Sequence, residues 1–359
     1  MNWKKIICPL VALAVPAALC YVSAAAAVVE EYPIAAKYQQ DLAITALTAR
    51  EGGSLDYFSR SSEKKQHLMV PLQYHSSDGG KTWNTVDLSG YKNYLTKNYP
   101  EAGETSNIYM AQNGDIYFTT ITSLDEKVEG SNHFTYRNYG VFKYSGGQVS
   151  EIIPLRMGNF AASGIKVCGV TPSGDVIALQ RTESLGMLAG AIKTPPNKIC
   201  YYSAKTNTAS KVDMVIESPR EWKPHVYANQ TLFGIRSREQ VFIEGYDIKT
   251  GKLSISIPLT ELPKDEHRSV SICTDSKDNL YVLSASGIYI LKPGSKQLQK
   301  IMDVSSTRLG KNACSFGSPA YGPDGSLYAP TRYRNGKKAG NADGDVDGKI
   351  LRFVLPAGV

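Results

Sequence analysis

The densest chemistry in the chain sits in Pro219-Arg220-Glu221-Trp222-Lys223-Pro224-His225-Val226-Tyr227. An arginine, an indole, an imidazole and a phenol fall there within nine residues. Trp222 or Tyr227 can stack on a sugar or an aromatic ligand, and Arg220 can hold an anion. Asp265-Glu266-His267-Arg268 adds a second imidazole with a cation beside it. His225 and His267 are therefore the candidate catalytic bases, and Arg268 a further ligand-binding residue. No H-x-H or H-E-x-x-H spacing occurs. His133, His225 and His267 can share a site only if the fold brings them together.

Carboxylates recur at alternate positions in Asn341-Ala342-Asp343-Gly344-Asp345-Val346-Asp347-Gly348. Alternating oxygen ligands ahead of a glycine resemble the first half of a calcium loop, which makes Asp343, Asp345 and Asp347 the candidate metal ligands and calcium the candidate cofactor. The pattern then departs: Val354 stands where an EF-hand-like loop needs its glutamate, and Leu351 where a shorter loop needs an aspartate. An acidic, solvated hairpin fits the same residues. The preceding Arg332-Tyr333-Arg334-Asn335-Gly336-Lys337-Lys338 is basic, so Arg332 and Arg334 either bind ligand or pair with these acids.

Other chemistries are missing from the pattern. There is no glycine-rich phosphate loop and no G-x-S-x-G in a strand–elbow–helix setting. The formal charge is +7 and includes Lys4 and Lys5 at the N terminus, a mild basic excess without the long Lys/Arg tract of a nucleic-acid footprint. Neither metal-ribbon nor thioredoxin-like chemistry has its C-x-x-C pair.

Whatever site exists must be held by a repeated frame. A tight turn followed by an aliphatic–aromatic strand recurs at Gly52-Gly53-Ser54-Leu55, Asn113-Gly114-Asp115-Ile116, Ser173-Gly174-Asp175-Val176, Arg238-Glu239-Gln240-Val241, Lys277-Asp278-Asn279-Leu280 and Asp324-Gly325-Ser326-Leu327. The mean spacing is roughly 54 residues, although one interval is markedly short. A second turn follows most copies, as in Ser77-Asp78-Gly79-Gly80, Ser145-Gly146-Gly147 and Lys249-Thr250-Gly251. Strand, turn, strand, loop, strand, turn, strand, repeated six times, predicts an all-β, six-bladed β-propeller of four-stranded antiparallel blades. The blades are expected near 40–88, 105–155, 163–215, 228–259, 268–302 and 315–355, with no helix interrupting them. Val28 to Ile34 is expected to add an outer strand to the last blade and close the ring.

Ser76-Ser77-Asp78-Gly79-Gly80-Lys81-Thr82-Trp83 resembles the Asp-box of BNR-repeat proteins at every defined position. The resemblance implies a propeller hairpin in which Asp78 and the hydroxyls cap turn amides and Trp83 packs beneath. Sialidases also carry such boxes, but their Arg-Ile-Pro type motif is missing between Phe58 and Pro71. The remaining units look like YVTN, NHL and SMP-30-type repeats, and Asp347-Gly348-Lys349-Ile350-Leu351-Arg352-Phe353 is similar to the closing blade of soluble sugar-dehydrogenase propellers. These likenesses imply that ligands bind on the face carrying the B–C loops and the blade-to-blade crossings. Thr119–Asn138, Gln180–Lys198, Ala329–Gly348, Ser89–Ser106 and Glu217–Ala228 are the long connections expected there.

Met1 to Ala27 reads as an export signal: Lys4-Lys5, an apolar run, then Ser23-Ala24-Ala25-Ala26-Ala27 with small residues at cleavage registers. Residues 28–359 would then form a single propeller domain, secreted or held at the cell envelope with no membrane span. Left uncleaved, the uncharged run from Ile6 to Val29 is long enough to cross a bilayer. Four cysteines remain after the leader, Cys168, Cys200, Cys273 and Cys314. Their pairing is open, with Cys168 and Cys273 in strand-like runs that suit buried thiols.

The expected function is a binding propeller for carbohydrate, a cell-envelope polymer or a protein partner. The alternative is a metal-assisted hydrolase, lactonase or lyase of the SMP-30 or streptogramin-lyase type, with its ion in the central channel.

Overall fold

The computed structural model describes residues 28–33, 44–50, 53–59, 68–111, 113–126, 134–155, 162–182, 197–204, 212–218, 222–237, 240–260, 270–307, 319–334 and 346–358. The first strand, β1 (Val28–Pro33), does not join the next in sequence. Blade 1 is β2 (Ile44–Ala49), β3 (Leu55–Ser59), β4 (Leu72–Ser76) and β5 (Asn84–Val86). A helix, α1 (Ser89–Asn98), leads to blade 2: β6 (Ala102–Met110), β7 (Ile116–Glu126), β8 (Phe134–Ser145) and β9 (Gln148–Ile153). Blade 3 is β10 (Ala162–Val170), β11 (Val176–Thr182), β12 (Asn197–Tyr202) and β13 (Val212–Ser218). Blade 4 is β14 (Trp222–Ala228), β15 (Thr231–Ser237), β16 (Val241–Asp247) and β17 (Leu253–Pro258). Blade 5 is β18 (Ser271–Thr274), β19 (Leu280–Leu283), β20 (Gly287–Leu291) and β21 (Gln299–Asp303). Blade 6 has β22 (Ala320–Tyr321), β23 (Ser326–Arg334) and β24 (Val346–Val354), with β1 as its fourth strand.

All pairings within the sheets are antiparallel, and the first strands β2, β6, β10, β14, β18 and β22 neighbour one another in a closed cycle. The architecture is a six-bladed β-propeller. Each blade lies between two others, so its middle strands are buried on both faces and read as continuous apolar runs. Leu280-Tyr281-Val282-Leu283 in β19 is buried at every position, whereas the outer strand β17 is mostly exposed. Among the described residues, six hydrophobic clusters fill the six junctions between adjacent blades. The ring is closed by β1 pairing with β24 from Val28↔Val354 to Pro33↔Lys349, the outer strand expected from sequence.

The A–B and C–D turns form one face, called here the turn face, and the B–C connections and crossings form the loop face. Aspartates at the start or the end of the A–B turns brace the turn face. Asp115 pairs with Lys143 at 2.6 Å, Asp175 accepts from Ser173 Oγ at 2.6 Å and from the Tyr201 hydroxyl, and Asp275 accepts from Asn279 Nδ2 at 2.8 Å. In blade 1 a carboxylate further along, Asp56 in β3, meets Arg50 at 2.9 Å and His75 at 3.1 Å. In the Ser76–Trp83 turn, Asp78 Oδ1 accepts from the amides of Lys81 and Thr82 at 3.0 and 2.9 Å. Trp83 packs edge-on against Tyr57 with centroids 4.7 Å apart.

Three expectations need correction. The crossing at Ser89 contains α1, which buries Tyr91 and Leu95 at the junction of blades 1 and 2. Blade 4 begins at Trp222, and its A–B turn is Asn229-Gln230, both with positive φ. The expected turn at 238–240 instead falls between β15 and β16, which explains the one short interval in the repeat. Finally, much of two "long loops" is ladder: β7 pairs with β8 out to Glu126↔Phe134, and β23 with β24 out to Arg334↔Val346.

Candidate functional site

Strand β14 runs from the loop face to the turn face, so its residues sample the channel wall from one mouth to the other. Trp222 begins it and is fully buried. The indole packs at 4.7 Å from Tyr246 and joins Cys168, Ile177, Leu179 and Leu232 between blades 3 and 4. It has no exposed ring face to offer a ligand, so the stacking role expected for Trp222 is corrected to a core role. Gly234 makes this possible, because a Cβ there would lie 2.6 Å from the indole and 2.5 Å from the Lys223 carbonyl oxygen.

Tyr227 is also displaced from its expected face. It lies near the turn-face end of β14, packed over Gly169 of blade 3, where a Cβ would come within 2.5 Å of the tyrosine Cβ. Burial raises its phenol pKa. Tyr227 thus belongs to the blade junction and not to the loop-face mouth.

His225 is at a β-bulge: Pro224 pairs with Gly234 and Val226 with Phe233, leaving His225 as the extra residue. Bulges re-aim a side chain out of the regular alternation. His225 keeps some accessible surface, yet protein crowds it closely, and this burial, with the nearby charges of Lys166 and Lys223, pushes its pKa down to about 3. The imidazole is therefore neutral under ordinary conditions, a weak proton acceptor with one N–H donor and one lone pair. Lys166 Nζ, from the first strand of blade 3, reaches the Pro224 carbonyl at 3.5 Å, and Lys223 is exposed. Two cations and a neutral imidazole across two inner strands suit an anionic or hydroxyl-rich ligand and repel a divalent metal ion.

An ion pair between a half-buried arginine and a buried glutamate lies within the same blade 4 sheet. Arg236 Nε is 2.8 Å from Glu244 Oε1, Ser256 Oγ donates to that oxygen at 3.3 Å, and the guanidinium sits 4.1 Å over Phe242. Neither Lys166 nor this pair was anticipated. A lysine inside the apolar run Ile165-Lys166-Val167-Cys168 was the available signal for the first. The second depends on a cross-strand register that the sequence does not print.

The remaining candidates are dispersed or undescribed. Arg332 and Arg334 lie on β23, and Asp347 lies on β24, with Tyr333↔Asp347 as a register pair. Asp347 thus stands in a ladder, with backbone pairing to β23. His133, Arg220, His267, Arg268, Asp343 and Asp345 lie outside the described residues, so the calcium expectation rests on sequence alone. Among the described residues, no group of three or more His, Cys, Asp or Glu side chains is placed to hold a metal ion. Cys168, Cys200 and Cys273 are buried, and burial raises the Cys200 and Cys273 thiol pKa values. Cys314 lies outside the described residues. No described helix is long and apolar enough to cross a membrane.

Neither a protein-family model nor a curated protein sequence matches the chain. Among solved structures, a protein of unknown function from Dyadobacter fermentans superposes with a TM-score of 0.53 at 11% identity, over 90% of this chain and 99% of that one. A luciferin-regenerating enzyme gives 0.47 at 16% identity over 93% and 96%. A GH93 α-L-arabinofuranosidase of Fusarium graminearum, solved with arabinobiose, gives 0.47 at 9% over 90% and 97%. At such identities the first likeness shows a shared fold and nothing about chemistry.

Proposed function

We propose that the chain is an exported, non-catalytic binding propeller. Its ligand is an anionic, carbohydrate-based polymer of the cell envelope, held at the loop-face side of the channel by Lys166, Lys223 and His225. The observation that supports this reading is the neutral imidazole flanked by two lysines on adjacent inner strands. A metal-assisted reaction at His225 needs a divalent cation where these charges oppose one, and it needs a base where the pKa stands near 3.

The test is binding of purified residues 28–359 to anionic and neutral envelope polysaccharides, with salt varied. Anionic polymers are expected to bind, with affinity falling as salt rises. The double variant Lys166→Ala/Lys223→Ala is expected to lose about ten-fold or more in affinity. Equal retention of neutral and anionic polymers, or indifference to both lysines, would sink the proposal.

A further inference from the structure

A cleft of about 480 Å³ opens on the turn face, opposite the lysines, between blades 6 and 1. Its wall comes from three pieces of chain that meet only in the closed ring. Strand β1 brings Glu30 and Tyr32, blade 6 brings Asp324, Tyr328 and Arg352, and the turns of blade 1 bring Gly53, Ser77, Asp78, Gly79 and Lys81.

The polar floor is already organised. Arg352 Nη1 donates to Glu30 Oε2 at 2.9 Å, while Nε and Nη2 donate to Asp324 Oδ2 at 3.1 and 2.8 Å. The Tyr328 hydroxyl donates to the same Asp324 oxygen at 2.9 Å, and the Tyr32 hydroxyl donates to Glu30. One guanidinium is thus compensated by two carboxylates, and Asp78 is engaged by the amides of its own turn. Lys81 stands on the rim, exposed, with its charge acting on Glu30. A strongly charged ligand would have to displace one of these matched partners. A neutral ligand would not.

We infer that this cleft is a second binding site, for a neutral saccharide. The half-buried Tyr32 ring supplies apolar surface, and the carboxylates and guanidinium gathered around Arg352 supply acceptors and donors for sugar hydroxyls. Gly53 leaves the wall open: a Cβ built there meets nothing within 4 Å. The inference does not rest on the channel reading, because the two sites share no residue.

The experiment uses residues 28–359 and, as probes, glucose, galactose, arabinose, xylose, N-acetylglucosamine and cellobiose, by saturation-transfer NMR and calorimetric titration. Binding in the millimolar range or tighter is expected for at least one probe. Gly53→Asn, a residue that tolerates positive φ, and Ser77→Gln at an exposed turn position both add bulk to the cleft. Each is expected to weaken binding about ten-fold or more with the melting temperature nearly unchanged. Lys166→Ala/Lys223→Ala is expected to leave it intact. No binding by any probe overturns the inference, as does binding that survives both cleft variants. Loss through the lysine variant alone would also overturn it, by assigning the sugar to the channel.

Discussion

His225 links stability to pH through a single imidazole. Its folded pKa, near 3, lies well below the ordinary 6.5. Between these values the unfolded chain binds a proton that the folded chain excludes, so stability falls as pH drops from about 6.5 toward 3. Above 6.5 the group is neutral in both states and contributes nothing. His225→Asn is expected to flatten denaturant-derived stability between about pH 6.5 and 4.5, above the carboxylate range. An unchanged slope would mean that His225 is solvated and ordinary. At the turn face the signs reverse. Asp175 is held below its ordinary pKa by hydrogen bonds from Ser173 and Tyr201 that outweigh its burial. Its contribution is present above the ordinary carboxylate pKa and is lost as pH falls below it. Tyr201→Phe should cost about 1–2 kcal/mol by chemical denaturation at neutral pH and much less once Asp175 is protonated. The capping role of Asp78 was legible because a short side-chain-to-backbone motif is local. The position of Trp222 was not, because an indole in a Pro-rich stretch looks the same in sequence whether it faces water or a neighbouring blade.

Elements in this ring fit by close approach at a few glycines. Gly234 lies beneath the Trp222 indole and against the Lys223 carbonyl, both nearer than any real Cβ would allow. Gly234→Ala should force the indole or β14 to move, at a cost of about 2–3 kcal/mol in unfolding free energy. A loss under 0.5 kcal/mol would show that the indole has room to shift. Strand β14 itself was hard to read. It is the inner edge of its sheet, and an edge facing a channel admits a proline such as Pro224 and a bulge such as His225. Its turn, Asn229-Gln230, contains no glycine, so the eye moves on to Arg238-Glu239-Gln240. Helix α1 escaped for a similar reason. Only Tyr91 and Leu95 are buried in Ser89–Asn98, too few apolar positions to show a helical period. The glycine- and aspartate-centred turns of blades 1, 2, 3, 5 and 6 were the legible part, since positive φ restricts which residues can stand there.

At the scale of the whole molecule, one short strand holds the ring shut. Removing residues 28–33 leaves the outer edge of β24 unpaired, strips Tyr32 from the turn-face cleft and takes Val29 from the junction of blades 5 and 6. The expected outcome is a lower melting temperature and association through the exposed edge, visible by light scattering. A monodisperse protein of unchanged melting temperature would show that closure is dispensable. Closure was readable in the sequence because Val28 to Ile34 had no other blade to join. The ligand was not, since six similar blades can be decorated in many ways and the decoration decides what binds. The antiparallel register has a mechanical corollary. Val28 pairs with Val354, so the first and last strands leave the ladder at the same corner. A pull applied between the two ends of the folded chain therefore loads the backbone hydrogen bonds of β1 one after another, like a zip, and never all at once in shear. The propeller should yield at low force by peeling a single strand, with the other five blades still assembled.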